Sequence, residues 1–357
     1  MPACVADPSA FAAAWLGTPP LRVARLGATG FSGAEVFHVV AAAGQFVLKS
    51  FPAGMSFDRA AWVHRLMRHL RAAGVEVIPA PRPTATGATC VADPQGCLWE
   101  LVEYLPGRPT AAPSVGQVIA AVETLARIHI AAAALPLTAG VPAPGGERRR
   151  HQVLQLLADP WAARRQRLAG PAPADPLGSG MRARFDLAIT GFGAAAGQRA
   201  LTAFAAVRPA VLPVQPVLRD VWADHVLFAT AQPERLTGLI DLQAAGCDSP
   251  ATDLARLLGN WASPWGGDGR WITPWEPALA AYDAIRGLTA AERQALPLLH
   301  ASAVVLGLDN WFRWVFDDRR RFAAAPALDR VDRLLGLLPQ ALDELLHTGP
   351  PAADAPV

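Results

Sequence analysis

The stretch Leu239–Gly259, LIDLQAAGCDSPATDLARLLG, decides how the rest of the chain is read. An apolar run ends in Asp241, as if a short strand held a carboxylate at its end. A second aspartate stands in the same setting 21 positions upstream, Asp220 in VLRDVWADHVLF, Val217–Phe228. Singly, an aspartate after a strand is a frequent turn or cap residue. Phosphoryl transfer needs two of them. One positions the attacking hydroxyl and accepts its proton, and the other holds the magnesium that bridges the phosphates.

Two features lie ahead of the aspartates in the order that chemistry requires. The turn LGATGFSGAEVF, Leu26–Phe37, carries Gly27, Gly30 and Gly33 between two strand-like runs. It does not precede a helix, so the dinucleotide fingerprint does not fit. Its backbone amides can still approach phosphate oxygens with no side chain in the way. Lys49 follows in VLKS, inside an apolar strand, where an ammonium needs an anion and a nucleotide phosphate would serve. The alternative is a strand-end lysine that reaches solvent. Composition bears on the choice: of 32 basic side chains, 31 are arginine and Lys49 is the one lysine. A residue that survives such a bias is expected where a compact point charge is needed, which arginine's planar fork cannot imitate. Asparagine is nearly as scarce, with Asn260 and Asn310 alone.

Bulk properties exclude several classes. A chain of 357 residues forms one large or two small domains with ample surface to bury. The net charge of +2, without an arginine stripe interleaved with aromatics, argues against a nucleic-acid partner. No uninterrupted apolar run reaches the ~18 residues of a membrane span. The N-terminus lacks a basic n-region, so no signal peptide is expected and the location is read as cytoplasmic. Four cysteines do not make a disulfide framework; Cys90 and Cys97, flanking the turn DPQG, are expected as reduced thiols. No zinc-ligand spacing occurs.

Along the chain, LRVARLG, AEVFHVVAAAG and QFVLKSF read as strands over residues 21–51. FDRAAWVHRLMRHLRAAG, Phe57–Gly74, reads as a helix with Gly74 at its C-terminal cap. TCVADPQGCLWELVEYL, Thr89–Leu105, reads as a hairpin and a strand. From there helical patterns take over. SVGQVIAAVETLARIHIAAA is one helix, and residues 147–208 carry arginine-rich helical stretches broken by the loop AGPAPADPLGSG, Ala169–Gly180. Two strand-like runs follow in 217–241, and helices continue to the end, including Leu296–Phe316 and Val331–Leu346.

On these motifs the chain resembles the aminoglycoside phosphotransferase and choline kinase type of small-molecule kinase, over roughly residues 20–335. The resemblance is most specific in Leu239–Gly259, similar to the family's I-D-F, a short polar link, then D-P-A-x-D-L-A. It implies an α+β, two-lobed protein-kinase-like fold. Residues 1–105 would form an N-lobe of small antiparallel sheet and helix, 106–350 a larger, mainly helical C-lobe, and 351–357 a disordered tail. It implies ATP and Mg2+ as cofactors and a small-molecule acceptor. Gly30, Phe31, Ser32 and Gly33 would cover the phosphates and Lys49 grip them. Backbone groups of Glu103 and Leu105 in EYLPG would meet an adenine. Asp220 would be the catalytic base, Asp241 the metal ligand and Asp253 a structural residue opening the next helix.

Departures from the pattern matter. The family's H-G-D-x-H-x-x-N is here Leu218, Arg219, Asp220, Val221, Trp222, Ala223, Asp224, His225. His225 thus stands at the second metal position in place of asparagine, and imidazole suits softer metals than magnesium. Trp222 resembles the fructosamine kinase variant D-x-W-x-x-N until His225 breaks that match. The Phe57–Gly74 helix has no glutamate for Lys49 and carries Trp62 at about that place, so Lys49 would rely on Asp241 or on the nucleotide. Both departures keep open a second reading, a nucleotide-binding pseudokinase with a partner-binding or regulatory role. Eleven residues between Asp241 and Asp253, with no A-P-E after them, leave no room for a protein kinase's activation segment and favour a small acceptor. Trp261, Trp265, Trp271 and Trp275 fit either a cation- or sugar-stacking wall or plain core packing. His129 in LARIH is expected in the core.

Overall fold

Alternation along strand β3 (Gly44–Ser50) sets the first unit: Phe46, Leu48 and Ser50 are buried on one face, and Val47 and Lys49 point to the other. In the computed structural model, β3 is the middle of a five-stranded antiparallel sheet of order β1-β2-β3-β5-β4. The others are β1 (Arg22–Arg25), β2 (Val36–Ala41), β4 (Cys90–Ala92) and β5 (Leu98–Glu103). The structure describes residues 7–26, 31, 34–52, 54–136, 152, 155–156, 160–170, 175–192, 199, 202, 212–261, 263–265 and 272–347. They divide into two compact units. One comprises Met1–Gly140, Gln215–Gly246 and Ala281–Arg286; the other comprises Val141–Val214, Cys247–Ala280 and Gly287–Val357.

In the first unit, helix α1 (Pro8–Leu16) covers one face of the sheet. Ala12 and Trp15 pack with Phe37, Val39, Phe46, Leu48, Trp99 and Leu101. No pattern in the sequence predicts a helix there. Asp7 nevertheless caps the helix by accepting from the Ser9 amide, and Pro8 suits its first turn. Helix α2 (Phe57–Ala72) is capped by Ser56 and buries Val63, Leu66, Met67 and Leu70. Gly74 follows its end at φ 85°, the left-handed region open to glycine. Helix α3 (Val115–Ala133) begins with a full capping box, Ser114 with Gln117. It buries Val118, Val122 and Leu125 and packs on α2 and on strand β6 (Gln215–Val217). His129 is fully buried, bonding the Tyr282 hydroxyl through Nδ1 at 2.6 Å, a core residue as expected.

The run Val217–Phe228 is not the single strand that its apolar pattern predicts. After β6 the chain turns at Arg219, whose φ of 65° no strand accommodates. It passes through a 3-10 turn at Ala223–His225 and only then enters β7 (Val226–Phe228), which pairs antiparallel with β8 (Leu236–Leu239). Gly107, at φ 149°, lies so close to this hairpin that a Cβ there would collide with the Thr237 hydroxyl and meet the Phe228 carbonyl at 2.9 Å. Arg108 exchanges two backbone hydrogen bonds of 2.9 Å with Phe228. The segment after β5 is therefore pinned to β7.

The second unit is mainly helical among its described residues, with Cys247 and Asp248 in a short strand, Gly246–Asp248. Pro250–Gly259 starts on the Ser249 cap with Pro250 in the first turn and packs on Ala290–Phe312, which also meets Ala324–His347. Asp253 is fully buried in the opening turn. The loop expected over Ala169–Gly180 ends early: the helix Pro176–Phe192 begins inside it, its first turn capped by Asp175 at 2.8 Å from the Gly178 amide. Arg164 is buried between Asp309 (3.1 Å) and Asp317 (2.7 Å). Trp265 and Trp275 pack edge to face at 6.2 Å, while Trp271 and the tail 351–357 lie outside the described residues.

Among the described residues, α3 and Ala290–Asp317 are long and apolar enough to cross a membrane. Much of each is buried within the fold, as in an ordinary core helix.

Candidate active site

Pairing of β7 with β8 brings His225 and Asp241 together. Val226 opposes Leu239, so His225 at the entry of β7 and Ile240–Asp241 at the exit of β8 become neighbours, and the Ile240 amide donates to the His225 carbonyl at 3.0 Å. Lys49 arrives from the sheet. Its Nζ donates to Asp241 Oδ1 at 2.5 Å, and His225 Nε2 lies 3.7 Å from the other oxygen, Oδ2. Burial alone would raise the Asp241 carboxyl. The charge of Lys49, then that of His225, and the Lys49 hydrogen bond outweigh it and hold the group below the ordinary carboxylate value. Asp241 itself sits in the left-handed region at φ 63°, an uncommon conformation that turns its carboxylate out of the strand direction.

Asp220 is tied to the same cluster through His225, whose Nδ1 meets the Asp220 carbonyl oxygen at 2.8 Å. A carbonyl only accepts, so Nδ1 carries a proton, and whenever the ring is neutral the lone pair of Nε2 lies on the Asp241 side. The Trp222 indole N–H donates to Asp220 Oδ1 at 2.5 Å, leaving Oδ2 uncommitted among the described residues. Sequence reading missed this role of Trp222, although a tryptophan two positions after the aspartate was the available signal.

Lys49 has no glutamate from α2, as expected from the sequence. Trp62 is buried, with the Arg59 guanidinium over its ring. Glu100 on β5 stands directly opposite Lys49 in the strand register. Glu100 is spent elsewhere. It accepts from His64 Nε2 at 2.7 Å and from the Gln243 amide at 3.2 Å, while His64 Nδ1 meets the Thr89 hydroxyl at 2.7 Å. This buried network joins α2, β5 and the residues just after Asp241, and nothing in the motif pattern pointed to it.

Of the remaining expected residues, Phe31 is half-buried, whereas Gly30, Ser32 and Gly33 lie outside the described residues. The Glu103 amide is committed to the Ala80 carbonyl at 2.9 Å, and Leu105 N–H makes no backbone hydrogen bond among the described residues. Cys90 opposes Glu100 and not Cys97, and both cysteines are reduced.

No group of three or more His, Cys, Asp or Glu side chains among the described residues could hold a metal alone. The one carboxylate of Asp241, completed by phosphate oxygens and water, fits the way nucleotide-borne magnesium is usually held.

The model of the phosphotransferase enzyme family matches residues 25–288. The chain belongs to this family. Membership of this family supports the small-molecule kinase reading over the pseudokinase one. It is 34% identical to a homoserine kinase of Granulibacter bethesdensis over 157 residues, 43% of this chain but only 47% of that protein. It is 29% identical to a homoserine kinase of Burkholderia mallei over 264 residues, 72% of this chain and 71% of that protein. In fold the chain is similar to an amicoumacin kinase solved in complex with AMP-PNP, Ca2+ and Ami, with TM-score 0.60, 16% identity, and 94% and 92% of the two chains covered. The α+β, protein-kinase-like fold expected from the sequence is thus the fold observed.

Proposed function

We propose that this phosphotransferase uses ATP with a divalent ion, Mg2+ in the first instance, to phosphorylate a hydroxyl of a small metabolite in the cytoplasm, with no nucleic-acid or membrane partner. The observation that carries this reading is the convergence of Lys49, Asp220, His225 and Asp241 through contacts of 2.5–3.7 Å. Lys49 holds the transferring phosphates as a point charge, in exchange for part of its bond to Asp241. Asp241, with His225 beside it, would hold the metal, which supplies neutralisation of charge on the phosphate oxygens. Asp220 offers Oδ2 to the acceptor hydroxyl, orients it and takes its proton, while Trp222 fixes the other oxygen. Leu105 N–H and the Glu103 backbone would face the adenine, and the turn Gly30–Gly33 with Phe31 would cover the phosphates. The lobe boundary near residue 105 belongs to the same reading.

Homoserine, for which two relatives are named, is the first acceptor to test. ATP turnover should be measured over homoserine, amino alcohols, aminoglycosides and sugars, with wild type and Asp220→Asn side by side. One acceptor is expected to stimulate turnover, and Asp220→Asn should lower kcat by about 10³-fold, the range of a lost general base. Unchanged turnover in Asp220→Asn would sink the assignment.

A further inference from the structure

Two histidines of the first unit have their nitrogens disposed differently. His64 uses both, on Thr89 and Glu100. His225 uses one. Its Nδ1 proton is fixed on the Asp220 carbonyl at 2.8 Å, and its Nε2 stops 3.7 Å short of Asp241 Oδ2. That gap is too long for a hydrogen bond. It is close to the separation, about 3–3.5 Å, that two ligands of one ion at about 2.1 Å from the metal would span. A backbone carbonyl that pins the far nitrogen is also the usual outer-shell arrangement of a metal-bound imidazole, since it fixes both tautomer and ring orientation.

We propose that His225 Nε2 is a direct ligand of the divalent ion beside Asp241, and that this shifts the site from Mg2+ toward transition-metal ions, with Mn2+ as the probe. The proposal rests on the phosphotransferase reading above, which requires a metal at Asp241 but not a nitrogen ligand. An amide oxygen at position 225 would give magnesium a hard donor. The imidazole replaces it with a borderline nitrogen that magnesium accepts poorly and transition metals accept well. Trp222 and Asp220 serve the arrangement from behind: the indole holds the Asp220 side chain, and the Asp220 carbonyl holds the ring.

The test is electron spin-echo modulation of Mn2+ bound to the full chain with AMP-PCP, whose phosphate bridge carries no nitrogen. Directly bonded 14N coupling is expected in the wild type and should convert to 15N coupling when the protein is labelled with 15N-histidine, a control that needs no mutation. The coupling should vanish in His225→Asn, and the preference for Mn2+ over Mg2+ by calorimetry should fall about tenfold or more. Mn2+ that binds in an Asp241-dependent way with no histidine coupling overturns this inference and leaves the phosphotransferase reading standing. Failure of Mn2+ to bind with AMP-PCP, or binding indifferent to Asp241→Asn, overturns both.

Discussion

Two polar clusters stand a few residues apart in the first unit, and they differ in what they leave unused. Around Glu100, every strong group is matched. His64 is fully buried with both nitrogens bonded, and Glu100 receives one hydrogen bond on each oxygen. Around Asp241, groups are held but not exhausted. Lys49 and Asp241 remain partly exposed, at 12% and 31% of the side chain, His225 has an unspent nitrogen, and Asp220 an unspent oxygen. A buried network satisfied internally contributes rigidity and specificity of packing. An incompletely satisfied cluster of the same residue types is poised for a ligand. The comparison assigns structure to the first and chemistry to the second, although both contain a histidine and a carboxylate.

That contrast can be broken by moving a defect from one cluster to the other. Glu100→Ala removes one partner of a buried pair and strands His64 and Gln243, so a loss of about 3 kcal/mol of stability is expected. Urea unfolding would measure it, and kcat per folded molecule should stay within about threefold of wild type. A variant that keeps its stability but loses turnover would place Glu100 in the chemistry and erase the distinction. Lys49→Arg preserves the charge of the other cluster but replaces a compact ammonium with a broad fork. It is expected to lower kcat/KM by about 10²-fold with little change in unfolding midpoint, as for loss of one well-placed electrostatic contact. Full activity with arginine would show that the lone lysine is a relic of composition.

Much of this was legible in the sequence for definite reasons. Strands β2, β3 and β5 and helix α2 follow from period and cap residues, and the order turn, lysine, aspartate, aspartate picked out Lys49, Asp220 and Asp241 before any geometry. His225 was legible as a departure from the pattern. Its fixed tautomer was not, because it depends on a backbone carbonyl five residues away that only the turn at Arg219 brings within 2.8 Å. Helix α1 escaped because its alanines show almost no amphipathic pattern, and its hold on the sheet comes largely from Trp15 and Ala12. The His64–Glu100–Gln243 network escaped for a similar reason: it joins three distant segments, and periodicity reports only which face is buried.

The most direct measurement is calorimetric binding of AMP-PNP with and without Mg2+, in wild type and in Asp241→Asn. Affinity in the wild type should rise at least about tenfold with the metal, and that gain should disappear in the variant while its unfolding midpoint barely moves. Equal binding in all four conditions would contradict the assignment of Asp241 as the metal-holding carboxylate and, with it, the division between the two clusters.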